Sequence, residues 1–97
     1  MRAGFAEQAI AEFERVLAKN NQFRGAHYSL GAAYLSGRGE AAFVEAAAEF
    51  REELRLFPGD LLSHSQLGYI ALSQHIYSEA ERELTQSVPL DPRNPDL

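Results

Sequence analysis

The sequence predicts an all-α fold, a short stack of helical hairpins, and three observations carry that prediction. Residues 27–36 (HYSLGAAYLS) return 37 positions later as residues 64–73 (HSQLGYIALS). The echo pairs His27 with His64, Leu30 with Leu67, Gly31 with Gly68, Leu35 with Leu72 and Ser36 with Ser73. In a chain of 97 residues such a repeat marks one supersecondary unit stacked on the next. Apolar residues also recur at steps of three and four, the spacing of a helix face, and no segment alternates as a strand does.

The first helix is expected over residues 5–18, with Ala6, Ala9, Ile10, Phe13, Val16 and Leu17 on one stripe. Lys19 suits the negative pole of its dipole, and Asn20-Asn21 forms a stop. A second helix over 22–36 holds the first copy of the echo. Gly37-Arg38-Gly39 predicts a turn, because two glycines this close favour one. Helical spacing resumes over 41–57 through Phe43, Ala46, Ala47, Phe50, Leu54 and Phe57, and Pro58-Gly59 ends it. Asp60 is placed to cap a fourth helix over 61–74, which holds the second copy. A turn near His75 leads to a fifth helix over 77–88, with Ala80, Leu84 and Val88 on one face. Pro89, Pro92 and Pro95 predict an extended, exposed tail.

Bulk composition bounds the function. A hydrophobic content of 45% is too high for a disordered chain, and 97 residues suffice for one small domain. Nine Lys and Arg against 14 Asp and Glu give a net charge of −5, which argues against nucleic acid and anionic membrane surfaces. Neither a charged-then-apolar leader nor a run near the roughly 20 residues of a membrane span is expected. With no cysteine, disulfides and thiolate chemistry are excluded. The compartment stays open, the cytoplasm slightly favoured.

The helix after each echo repeats as well. Ala9, Ala46 and Ala80 align, then Glu12, Glu49 and Glu83, then Phe13, Phe50 and Leu84. The later spacing is 34 residues (46 to 80, and Pro58 to Pro92), the earlier one 37 (9 to 46). With Leu30-Gly31-Tyr34-Ala46-Phe50-Pro58 and Leu67-Gly68-Ala80-Leu84-Pro92, the chain resembles the tetratricopeptide repeat (TPR) family, whose unit is a 34-residue helix-turn-helix. The resemblance covers nearly the whole chain. It implies an α-α superhelix of five helices and two and a half repeats: residues 1–20 as the second helix of an incomplete unit, 22–58 and 61–92 as repeats, 93–97 as tail. Departures are His27 and His64 where the family has a large aromatic, Ala71 for Tyr, and Asn21 for a closing Pro. Three extra residues lie between Tyr34 and Ala46 and predict a longer turn or an extra helical turn.

Little in the sequence carries chemistry. His27 and His64 fill equivalent slots, which repeated packing explains without a metal or a catalytic role. No HExxH, CxxC, GxSxG or GxxxxGK[ST] is present, so neither an enzyme nor a cofactor site is expected. Glu7, Glu12, Glu14, Glu45, Glu49, Glu52, Glu53, Glu79, Glu81 and Glu83, with Arg15, Arg51 and Arg82 among them, read as a solvated convex face.

The converse pattern points to binding. Residues 26–36 and 62–77 contain no Asp, Glu, Lys or Arg, so the first helix of each hairpin is uncharged on every side. The resemblance implies that these helices line a concave groove of Tyr28, Ser29, Ala32, Leu35, Leu62, Ser65, Gln66, Tyr69 and Leu72. Without Lys, Arg or Asn there, the groove is unsuited to an acidic chaperone tail and suits an apolar or amphipathic helix of a partner protein. The alternative is a structural fragment of a longer solenoid with no groove ligand. On the first helix, Ala9, Phe13 and Val16 are expected to face a partner outside this chain, either an upstream helix or a second copy in a symmetric dimer. One consequence concerns packing: Ala80→Leu overfills the crossing of the last two helices and costs about 1–3 kcal/mol in thermal unfolding.

Overall fold

A computed structural model of the chain describes residues 3–86, all helices and turns with no strand among them. The elements are α1 (Ala3–Lys19), α2 (Ala26–Arg38), a 3-10 turn (Gly39–Ala42), α3 (Phe43–Leu56), α4 (Leu61–Ser73) and α5 (Tyr77–Gln86). The expected last turn at Val88 and the proline-bearing tail, including residues 93–97, lie outside the described residues. Each helix packs on its neighbours in sequence, α1 on α2 through to α4 on α5. The resulting body measures 44 × 30 × 20 Å, elongated as a stack is.

Two apolar clusters hold the layers. Ile10, Leu30 and Ala33 form the first between α1 and α2, flanked by Ala9, Phe13, Leu17 and Tyr34. Phe43, Ala46, Ala47, Phe50, Leu67 and Ile70 form the second between α3 and α4, flanked by Tyr28, Tyr34, Leu35 and Leu54. Tyr34 belongs to both, so α2 joins the clusters.

Small residues set how closely the helices meet. A Cβ on Gly31 would lie 2.8 Å from the Phe50 ring and 3.1 Å from the carbonyl oxygen of Ala46. On Gly68 it would lie 2.7 Å from the Leu84 side chain, so the two glycines of the repeat do the same work. Gly37 differs from expectation. It sits inside α2 rather than in a turn, and a Cβ there would approach that of Ala6 to 2.5 Å. The helix yields only at Gly39, whose φ of 58° with ψ of −137° is a backbone conformation that glycine alone enters without strain. The three extra residues of this unit are absorbed by the 3-10 turn, so α3 starts at Phe43 instead of residue 41.

The start of α2 also moves, from residue 22 to Ala26. The Asn20 side chain accepts from the amide of Gln22 at 3.0 Å, and the Asn20 carbonyl accepts from Phe23 at 3.2 Å. Gly25 then turns the chain at φ 87°. These local bonds compete with the helix and win. Gly31→Ala is expected to cost about 1–3 kcal/mol in urea unfolding, since a ring can shift but the Ala46 backbone cannot. An unchanged midpoint would overturn the close-approach account.

Candidate functional site

The polar side chains come first, since they decide whether the molecule holds chemistry. His27 Nδ1 lies 2.8 Å from Glu49 Oε1, and its Nε2 lies 3.0 Å from the carbonyl oxygen of Asn21. His64 repeats this, with Nδ1 2.7 Å from Glu83 Oε1 and Nε2 3.0 Å from the carbonyl oxygen of Pro58. A carbonyl only accepts, so Nε2 donates in both rings, while Nδ1 pairs with the carboxylate. Each imidazole thus ties the first helix of a hairpin to the second and to the turn before it. Both nitrogens of both rings are occupied. Among the described residues no group of three or more His, Asp or Glu could hold a metal ion.

The acidic face therefore needs correcting at three places. Glu49 and Glu83 are the partly buried partners of these histidines, not solvated surface. Glu53 is 1% exposed and accepts from the amides of Gly25 at 2.9 Å and Tyr28 at 3.2 Å. It caps α2 from another helix, placing a carboxylate at the positive end of the dipole. By contrast α4 is capped locally, as expected: Asp60 accepts from the Ser63 amide at 3.1 Å and from its hydroxyl at 2.5 Å. A sequence signal for Glu53 existed. It stands in register with Val16 of the previous unit, a stripe position, and residues 22–25 supply no cap of their own.

Other ties are peripheral. Arg38 of α2 reaches Glu7 of α1 at 2.8 and 3.2 Å, and this hydrogen bond holds the Glu7 carboxyl below its usual range. The tie is present above that lowered value and lost as pH falls through it. Being exposed, it contributes little.

The predicted groove residues divide into three groups. Tyr28 and Leu35 are half-buried against the α3–α4 cluster, the Tyr28 ring 5.5 Å from that of Phe50. Ala32 and Gln66 are half-buried too. Ser29 instead lines a cavity of about 220 Å³ with Phe13, Val16 and Phe23, which joins a predicted groove residue to the predicted association residues. Leu62, Ser65, Tyr69 and Leu72 lie exposed on α4, where their steps place them on one face. The large ones keep about half their surface open, Leu62 at 58%, Tyr69 at 53% and Leu72 at 48% exposure. Tyr69 meets Phe43 edge-on at 6.4 Å, so its ring is oriented by the core while its outer face is open. A second cavity, of about 140 Å³, lies between α3, α4 and the start of α5 and is lined by none of the nine. The α4 surface is an open face, not a pocket.

No protein-family model matches the chain, and no curated protein matches it. No helix among the described residues is long and apolar enough to cross a membrane. The buried Glu53 gives the test of this polar frame. Glu53→Ala orphans two amides and lowers stability by about 2–4 kcal/mol, measured by denaturant unfolding. Glu52→Ala, beside it on the outer side, changes stability by less than about 0.5 kcal/mol.

Proposed function

We propose that this chain is a protein-interaction module of TPR-like hairpins that holds an apolar or amphipathic helix of a partner against the neutral face of α4 and α2. The observation that carries this reading is the trio Leu62, Tyr69 and Leu72, exposed together on a helix with no Asp, Glu, Lys or Arg. An apolar stripe left open on a helix whose other side packs the core supports the reading of α4 as a contact surface. Fully covering one such Leu or Tyr contributes about 1.5–3 kcal/mol, so the trio is the apolar centre of a contact whose remaining affinity comes from the residues around it. Ser65 and Gln66 between them can pair with the polar edge of a bound helix. The lack of charge disfavours strongly acidic or basic ligands, which would lose hydration without gaining a counterion.

Half-exposed Tyr69 separates binding from folding. Against a library of amphipathic helical peptides, Tyr69→Ala is expected to weaken the selected ligands at least about tenfold, as an interface hot spot does, with little change in melting temperature. Unaltered affinity would remove α4 from the interface.

A further inference from the structure

The histidine ties of the two complete hairpins carry the next inference. His27 on α2 stands between two acceptors, the Glu49 carboxylate 2.8 Å from Nδ1 and the Asn21 carbonyl 3.0 Å from Nε2. His64 on α4 stands likewise between Glu83 at 2.7 Å and the Pro58 carbonyl at 3.0 Å. Neither an ionised carboxylate nor a carbonyl can donate, whereas a neutral imidazole carries a single N–H. Serving both acceptors therefore takes a second proton, and it rests on the ring because imidazole is the stronger base. The third histidine is the contrast. His75 Nδ1 lies 2.8 Å from the Tyr77 hydroxyl, which can donate to a neutral ring, so no extra proton is needed there.

The surroundings of both rings suit a positive charge. Helix α3 presents three carboxylates to His27. Glu49 is bonded to it, and Glu53 holds the amides of Gly25 and Tyr28 on either side of it. Glu52, held below its usual range first by Arg55, also feels the charge of His27. Arg24, in the turn before α2, is directed over the Phe57 ring at 4.5 Å. At His64, α5 presents Glu83, whose other oxygen lies 3.6 Å from the exposed Arg82, and Asp60 caps α4 one turn back. The paired side chains are only 12–24% exposed, so solvent screens these ties less than surface ones.

We propose that the His27–Glu49 and His64–Glu83 pairs are proton-dependent clasps, which hold α2 to α3 and α4 to α5 in mildly acidic solution and loosen as pH rises. A ring that has lost its second proton keeps the turn carbonyl or the carboxylate, not both, so each hairpin gives up one of two bonds. The direction follows from linkage. The folded chain holds two protons that free imidazoles in the unfolded chain shed at about pH 6.5. Stability is therefore whole below that pH and falls above it, by up to about tenfold in the folding constant per pH unit for each clasp.

Urea unfolding of the full 97-residue protein between about pH 6 and about pH 9 tests this. The folding constant is expected to drop at least about tenfold across that range. Glu49→Gln offers an amide N–H to a neutral Nδ1, so it keeps the bond without the extra proton. With Glu83→Gln added, the drop is expected to shrink below about threefold, while His75→Gln leaves it unchanged. Ring nitrogen resonances of the parent protein give a readout that needs no variant. At about pH 7, where a free imidazole is mostly neutral, both nitrogens of His27 and of His64 are expected to be protonated. A folding constant flat over the range, a drop that survives in the double glutamine variant, or a single N–H on each ring would overturn the proposal.

Discussion

Helices in this protein come closer together than ordinary side chains permit, and the rest of the structure depends on that distance. Gly31 and Gly68 leave the approach free, and Phe50 and Leu84 fill the space so opened. Dispersion and burial reward this contact only while the fit is tight, since a gap of even half an ångström forfeits much of the attraction. The polar bonds are consequences of the same spacing. Imidazoles on α2 and α4 reach carboxylates on α3 and α5 at 2.8 and 2.7 Å because the glycines one turn along let the helices meet.

Burial and hydrogen bonding therefore act in sequence rather than side by side. Apolar contact brings the pairs together, and the carboxylates then satisfy groups that would otherwise be lost to solvent. Glu53 is the clearest example. A buried carboxylate alone is expensive, but here it answers two amides at a helix start that has no local cap. The arrangement selects one register of α2 on α3, because a slip of one residue would strand both the acid and the amides. Among the described residues no buried side-chain nitrogen or oxygen is left without a partner.

Stacks of this kind touch only neighbour to neighbour, so their outer faces and ends stay available. Here the two open apolar surfaces differ in character. On α4 the large residues project from a helix whose inner side is already in the core, and removing one leaves that core intact. On α1 the half-open Phe13 borders the cavity that Val16 and Phe23 also line, so this surface is continuous with a recess. Their independence comes from α2 and α3, which lie between them.

The repeat at 27–36 and 64–73 determined a great deal unaided: the all-helical class, the equivalence of His27 with His64, the tight crossings at Gly31 and Gly68, and the Asp60 cap. These were legible because a helical period and a repeated slot are properties of local spacing. Tertiary structure decided the matters that hinge on which atoms meet across helices. It put Gly37 against Ala6 inside a helix, where local propensity read a turn. It drew Glu49, Glu53 and Glu83 inward, where composition alone read a solvated face. It also sent Ser29 to the cavity beside Phe13 and Val16, away from the open face of α4. A chain encodes which side of each helix is apolar, but which carboxylate lands on which amide depends on crossing angle and depth, and those exist only once the helices are packed.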